Sequence, residues 1–294
     1  MHDLVVSLIA EPGGLDAALP DNLRNAWGGD DVLWLSQGEA AEFGLHTMPD
    51  NFWDVWADLQ TARVDLVMQP REGRRKMLLL ADMDSTMIQQ ECIDELADVA
   101  GFGDQVKEIT AKAMNGELDF EEAIDARVAL LKGLPTDVIG QVLAERITYT
   151  PGGTTLLATM KAAGAYTALV SGGFTAFTGP VATYLGFDEH RANVLLEENG
   201  ALTGAVQKPV LGQQAKMDAV DELTAQRGIT DDQCLAVGDG ANDLGMLGLA
   251  GLGVAMHAKP SVAEACAVRV NFGDLTALLY LQGYAKSEFV IPGA

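Results

Sequence analysis

Met77-Leu78-Leu79-Leu80-Ala81-Asp82-Met83-Asp84-Ser85-Thr86 runs five apolar residues straight into a pair of carboxylates. An apolar run of this length reads as a buried strand of a parallel sheet. Asp82 and Asp84 follow it at i and i+2, where solvation of an exposed face does not account for them. Two such carboxylates need a counterion. One use for the pair is a carboxylate that attacks phosphorus beside one that transfers a proton, with a divalent, oxygen-seeking metal relieving the repulsion. On spacing alone, a metal-binding loop or a helix cap fits equally well.

From Met77 onward, apolar strands alternate with helical stretches. Strands are expected at Met77–Leu80, Thr167–Val170, Cys234–Val237 and Gly253–Ala255, which predicts an α/β, doubly wound parallel sheet with its site at the carboxyl ends of the strands. Three of them end in Asp82-Met83-Asp84, in Ser171-Gly172-Gly173 and in Gly238-Asp239-Gly240-Ala241-Asn242-Asp243. Residues from about 89 to 148 read as mainly helical, an insertion that would cap the site. A hairpin is expected with arms Ala192–Glu197 and Leu202–Val206 around Glu198-Asn199-Gly200.

Before Met77 the pattern is different. Strands at Leu4–Ala10, Val32–Ser36, near Phe43–His46 and at Val64–Gln69, with helices at Asp16–Trp27 and Asn51–Thr61, give βαββαβ, a small ferredoxin-like α+β unit over residues 1–70. Its tryptophans most simply form its core. The polar run Arg71–Lys76 reads as a linker to a larger unit, 77–294.

A formal net charge of −23 over 294 residues argues against nucleic-acid binding and against anionic membranes. A phosphorylated ligand would meet the same repulsion, so its site must supply local positive charge. Three scattered cysteines, Cys92, Cys234 and Cys266, lack zinc spacing. With no apolar membrane span and no basic leader, a reducing cytoplasm is expected.

Asp239 and Asp243 add two carboxylates after another apolar strand, and with Asp82 and Asp84 they suit a hard cation such as Mg2+. Ser171 and Gly172 offer a hydroxyl and backbone N–H groups to phosphate oxygens, and Lys216, at the head of a helical stretch, offers an ammonium, with Lys208 a competing candidate.

Taken together and in order, Asp82-Met83-Asp84-Ser85-Thr86, Ser171-Gly172-Gly173-Phe174, Lys216 and Gly238-Asp239-Gly240-Ala241-Asn242-Asp243 resemble the four motifs of haloacid dehalogenase (HAD) phosphatases. With Ile88, Glu91 and Arg127, the stretch from Met77 to about Phe272 resembles, more narrowly, the phosphoserine phosphatase family. Residues 1–70 resemble the ACT-type domain attached to some bacterial members.

The resemblance implies a Rossmann-like HAD core, a cap over 89–148, and hydrolysis of O-phospho-L-serine through an aspartyl-phosphate, the last step of serine biosynthesis. Asp82 would be the nucleophile and Asp84 the acid and later the base. Asp82, the Asp84 carbonyl and Asp239 would hold Mg2+, and Asp243 would orient the site. Ser171, Gly172, Lys216 and Asn242 would bind phosphate, Glu91 the substrate amine and Arg127 its carboxylate. Phe120 would shield the site, with Met114 packed beside it. Two other readings share these residues: transfer of the phosphoryl group to homoserine or another small alcohol, and a regulatory amino-acid-binding protein with Gly13-Gly14 as a ligand turn. A homodimer formed through residues 1–70 is compatible with each.

Overall fold

The computed structural model describes residues 3–114 and 117–293; the side chain of Met114 lies outside the described residues, and with it the packing expected beside Phe120. Strand β1 (Leu4–Ala10), helix α1 (Leu19–Trp27), β2 (Leu33–Ser36), β3 (Ala40–Leu45), α2 (Phe52–Thr61) and β4 (Val64–Pro70) form the expected βαββαβ unit. Its antiparallel sheet has the order β2-β3-β1-β4. Side chains alternate across a strand, and here both faces are used. Val6, Leu8 and Ala10 join Phe43, Phe52 and Leu66 in the cluster beneath the two helices. Ile9, Leu35, Ala40 and Val67 belong to a second cluster, shared with residues of the larger unit. All six residues of β3 are buried for this reason.

The tryptophans depart from expectation. Trp53 is 42% exposed, and Trp27, Trp34 and Trp56 are only partly buried around a core built from aliphatic residues and two phenylalanines. The gap between sheet and helices is already filled. An indole also needs a partner for its N–H, which Trp27 finds on Asn51 at 3.1 Å.

The second sheet begins with β5 (Leu78–Ala81). The cap helices follow: α3 (Cys92–Ala100), α4 (Gly103–Met114), α5 (Phe120–Ala129) and α6 (Asp137–Glu145). The chain returns through α7 (Gly153–Ala162), β6 (Tyr166–Phe174), α8 (Thr175–Leu185), β7 (Glu189–Asn193), β8 (Leu195–Glu198) and β9 (Ala201–Val206). It ends with α9 (Gln213–Arg227), β10 (Cys234–Gly238), α10 (Leu244–Leu249), β11 (Leu252–Met256), α11 (Pro260–Ala265), β12 (Val268–Val270) and α12 (Ala277–Leu281). The six parallel strands run β12-β11-β10-β5-β6-β7. Leu79 and Ala81 pack on one side with α7 and α8, Leu78 and Leu80 on the other with α9 and α10. This is the doubly wound core that the apolar run 77–81 predicts.

Two strands escape a reading from hydrophobicity: β7 (Glu-His-Arg-Ala-Asn) carries too many polar residues, and β12 (Val-Arg-Val) is only three residues long. The hairpin is correspondingly shorter at its start: its first arm begins at Leu195, because Ala192 and Asn193 finish β7 beside β6. Its turn, Asn199-Gly200, has φ of 53° and 78°, the left-handed pair of a type I′ turn. The hairpin also extends the cap. Gly133 N–H donates to Leu202 O at 2.8 Å and Leu202 N–H to Leu134 O at 2.9 Å.

The two sheets are joined by more than the chain between them. Around the polar run, Arg71 pairs with Asp30 at 3.0 Å and Arg75 with Glu288 at 2.7 Å. Arg74 holds Glu42 through two bonds of 2.7 and 3.0 Å. The guanidinium of Arg269 on β12 lies over Trp53 and Trp56. Buried Asp65 on β4 accepts N–H bonds from Asn271, Phe272 and Gly273 at 2.7, 3.1 and 2.8 Å. Asp65→Ala strands those three donors, and urea denaturation should show a loss of about 2–4 kcal/mol, the scale of unsatisfied buried polar groups. Deleting residues 1–70 should lower the melting temperature sharply, since it uncovers Leu278 and Leu281.

Candidate active site

Parallel pairing sets the strand ends level. Ala81 lies opposite Val237 on β10 and Leu169 on β6, so Asp82, Ser171 and Asp239 all emerge at one edge. The Asp82 N–H continues the ladder to Val237 O at 3.0 Å, while its own Oδ1 accepts from Met83 N–H at 2.8 Å. The chain then closes a wide turn, with Ile88 N–H on Met83 O, in which Ser85 takes a left-handed φ of 55°. That turn directs Asp84 back over the strand end. Asp84 Oδ1 accepts Cys92 N–H at 3.3 Å, which ties the residue to the first turn of the cap.

Lys216 is the electrostatic centre. Its Nζ lies 2.7 Å from Asp82 Oδ1 and 2.6 Å from Asp243 Oδ1, at 1% exposure. Burial by itself would lower the lysine pKa, but the two carboxylates hold the ammonium above its ordinary range. Lys208, the competing candidate, instead bonds Glu121 and Asp125 on the outer side of α5 at 2.6 and 2.8 Å. Asp243 Oδ2 accepts the N–H groups of Asp239 and Gly240 at 3.1 and 2.9 Å. This close packing explains Gly238, where a Cβ would lie 2.4 Å from the Asp243 carboxyl carbon.

Carboxylate oxygens of Asp82, Asp239 and Asp243 come within 4.8 Å of one another. An all-oxygen set of this kind fits a hard divalent cation. Both oxygens of Asp243 are already engaged, by Lys216 and by two N–H groups, so Asp82 and Asp239 are the carboxylates left to hold it. Burial raises Asp239 to about 6 against the pull of Lys259, and raises Asp84, with Glu91 adding to the effect, to about 7.

Ser171-Gly172-Gly173 lies inside β6 as an irregularity between Val170 and Phe174, where a loop after the strand was expected. The Ser171 Oγ accepts Gly173 N–H at 2.9 Å. A cavity of about 570 Å³ opens in front. Of the expected site residues, Asp82, Asp84, Glu91, Arg127, Ser171, Gly172, Asp239 and Asn242 line it, while Lys216 and Asp243 stand immediately behind Asp82. Glu91 reaches in from the N-terminus of α3, its Oε1 accepting Ser85 Oγ–H at 3.0 Å. Arg127 lines the cavity from α5, with its Nε–H spent on Ala123 O at 3.1 Å.

Two contributors, Lys259 and Asn193, carry no sequence signal. Lys259 is 57% exposed, yet its Nζ is 3.7 Å from Asp239 Oδ2, brought there by the loop before α11. Asn193, at the end of a strand that hydrophobicity missed, bonds the carbonyl of Gly172 at 2.9 Å. Thr86 belongs to the quoted motif, and its Oγ is 3.4 Å from Asp239 Oδ1.

No helix among the described residues is long and apolar enough to cross a membrane. A family model described as haloacid dehalogenase-like hydrolase matches residues 79–248. A phosphoserine phosphatase of Streptomyces coelicolor is 46% identical over 215 residues, 73% of this chain and 52% of that protein, so the match spans about half the length of that relative. One of Lactococcus lactis subsp. lactis is 43% identical over 214 residues, 72% of this chain and 99% of that protein. A crystal structure of a probable phosphoserine phosphatase from Vibrio cholerae is 33% identical, with a TM-score of 0.79 over 98% of this chain and 88% of that one. The matched residues 79–248 carry the four carboxylates, the Ser-Gly-Gly segment and the buried lysine, and the chain belongs to the haloacid dehalogenase-like hydrolase family.

Proposed function

We propose that the chain is a magnesium-dependent phosphoserine phosphatase, converting O-phospho-L-serine to L-serine and phosphate. One observation carries the reading: a single cavity of about 570 Å³ holds both the carboxylate and phosphate-binding groups of the core and an opposite-charge pair, Glu91 and Arg127, from the cap. The volume suits a small metabolite, and the pair matches the ammonium and carboxylate of an amino acid. The likeness to the Lactococcus lactis subsp. lactis phosphoserine phosphatase, over almost all of its length, supports the same substrate.

In this mechanism Ser171 Oγ, the Gly172 N–H, Asn242 and the Lys216 ammonium bind the phosphate oxygens. An Asp82 carboxylate oxygen attacks phosphorus, and the bond to the serine oxygen breaks. Asp84 gives that oxygen its proton; a carboxyl raised to about 7 still holds a proton in a large share of molecules at neutral pH. Asp84, now ionised, takes a proton from water, which attacks the aspartyl-phosphate, releases phosphate and restores Asp82. Magnesium held by Asp82, the Asp84 backbone carbonyl and Asp239 would neutralise charge between carboxylate and phosphate. Asp243 and Lys216 keep Asp82 in place throughout. Pairing of chains through residues 1–70 would use the edge strand β2, where Leu33 is exposed, because the open face of that sheet is taken by the core.

Asp82→Asn should lower phosphate release by roughly four orders of magnitude, since the amide is a poor nucleophile; substantial residual turnover rules the covalent route out. Arg127→Met should raise KM for phosphoserine about 100-fold, the cost of a lost charged bond, and leave p-nitrophenyl phosphate hydrolysis nearly unchanged. A sugar phosphate turned over faster than phosphoserine would sink the substrate assignment. Phosphorylated homoserine formed in place of free phosphate would identify a transferase. Lys216→Met leaves two buried carboxylates facing each other and should cost about 3–5 kcal/mol in metal-free urea titrations.

A further inference from the structure

Asn193 closes β7 at 2% exposure and spends its amide on two distant pieces of backbone. Its Nδ2 donates to Gly172 O at 2.9 Å and to Leu211 O at 3.1 Å, and its Oδ1 accepts Leu211 N–H at 2.7 Å. An asparagine amide has two donors and two acceptor sites, so both donors here are committed. Gly172 belongs to the Ser-Gly-Gly segment, whereas Leu211 leads through Gly212 into α9 and Lys216. The Gly172–Gly173 peptide is consequently held at both ends, its carbonyl by Asn193 and its N–H by Ser171 Oγ.

The same two backbones meet one cap side chain. A Cβ on Gly172 would lie 3.2 Å from Phe120 Cζ, and one on Gly212 would lie 3.0 Å from Phe120 Cδ1. The ring therefore rests on a floor of two bare glycines. Phe120 lines the catalytic cavity and also a neighbouring cleft of about 520 Å³ bordered by Pro209, Leu211 and Gly212, so its ring is the partition between them.

We propose that Asn193 is a positioning residue that fixes the phosphate-binding Gly172 segment and the seat of Phe120 as one unit, so that phosphate binding and the cap's contact through Phe120 share a floor. The proposal rests on the phosphatase reading above. A purely structural asparagine would affect stability alone; a floor shared by two functions couples phosphate affinity to Phe120.

The experiment uses the full chain with magnesium and compares wild type with Asn193→Ser, Asn193→Asp, Gly212→Ala and Phe120→Ala. Measured are KM and kcat for phosphoserine and p-nitrophenyl phosphate, inhibition by inorganic phosphate, and melting temperature. In both Asn193 variants the phosphate inhibition constant and the phosphoserine KM should rise about tenfold, the effect of one or two buried hydrogen bonds. The KM effect should shrink when Phe120→Ala is also present, as expected for coupled positions. Gly212→Ala has room in its backbone, at φ −116°, and should act through the ring, raising phosphoserine KM and, to a smaller extent, the phosphate inhibition constant. Variants at Asn193 that melt like wild type and keep wild-type phosphate inhibition overturn the proposal, as does strict additivity with Phe120→Ala. Should both fail to fold, an unchanged KM in Gly212→Ala overturns it instead. If wild type ignores phosphoserine, the substrate reading falls, and Asn193 is still judged by phosphate inhibition and p-nitrophenyl phosphate.

Discussion

The Lys216 ammonium, sealed between Asp82 and Asp243 at 2.7 and 2.6 Å, is the contact on which the rest of the site depends. Three charged groups are out of water here, an arrangement that persists only because each has partners. Lys216 offsets the two carboxylates, and Asp243 is anchored by the N–H groups of Asp239 and Gly240. The result is one rigid unit spanning β5, α9 and the turn after β10. Asp82 is held with an oxygen available to the cavity, and Asp239 is set beside it where a divalent cation can bridge them.

Charge also explains why the site is built this way in this chain. A protein with formal charge −23 repels a phosphomonoester at long range. Any attraction must come from a few cations placed at close quarters, and three stand at or behind the cavity: Lys216 against Asp82, Arg127 from the cap, and Lys259 beside Asp239. Burial of Lys216 makes its single charge count for more than a surface lysine would, because the surrounding dielectric is low.

The N-terminal unit stands in a different relation to the core from a tethered sensor. Its sheet buries one face under its own helices and the other against Leu278, Tyr280 and Leu281. Asp65 caps three backbone N–H groups of the loop after β12. Its removal would therefore expose core, whatever ligand or partner it also serves.

Much of this was legible along the chain. The apolar run before Asp82 specifies a strand buried on both faces, as Leu78, Leu79, Leu80 and Ala81 are while Met77 stays exposed ahead of it, and the ordered Asp, Ser-Gly-Gly, Lys and Gly-Asp segments mark which strand ends share a site. The βαββαβ pattern before Arg71 was equally plain from its alternation. Strands β7 and β12 were not, because at the sheet edges a polar strand such as β7 loses the hydrophobic signal and a three-residue strand such as β12 is too short to show one. The residues alone leave Lys216 and Lys208 in competition; the resemblance points to Lys216, and the fold gives the physical reason, burying it between two carboxylates while Lys208 sits on the outer side of α5. Asn193 and Lys259 are single polar residues with no local pattern, and their places at the site come from chain segments that meet only when the sheet is assembled. The sequence by itself determined the kinds of chemical group and the strands that carry them. Tertiary structure decided which groups touch, because hydrogen bonds and ion pairs depend on distances of about 3 Å that spacing along a chain does not encode.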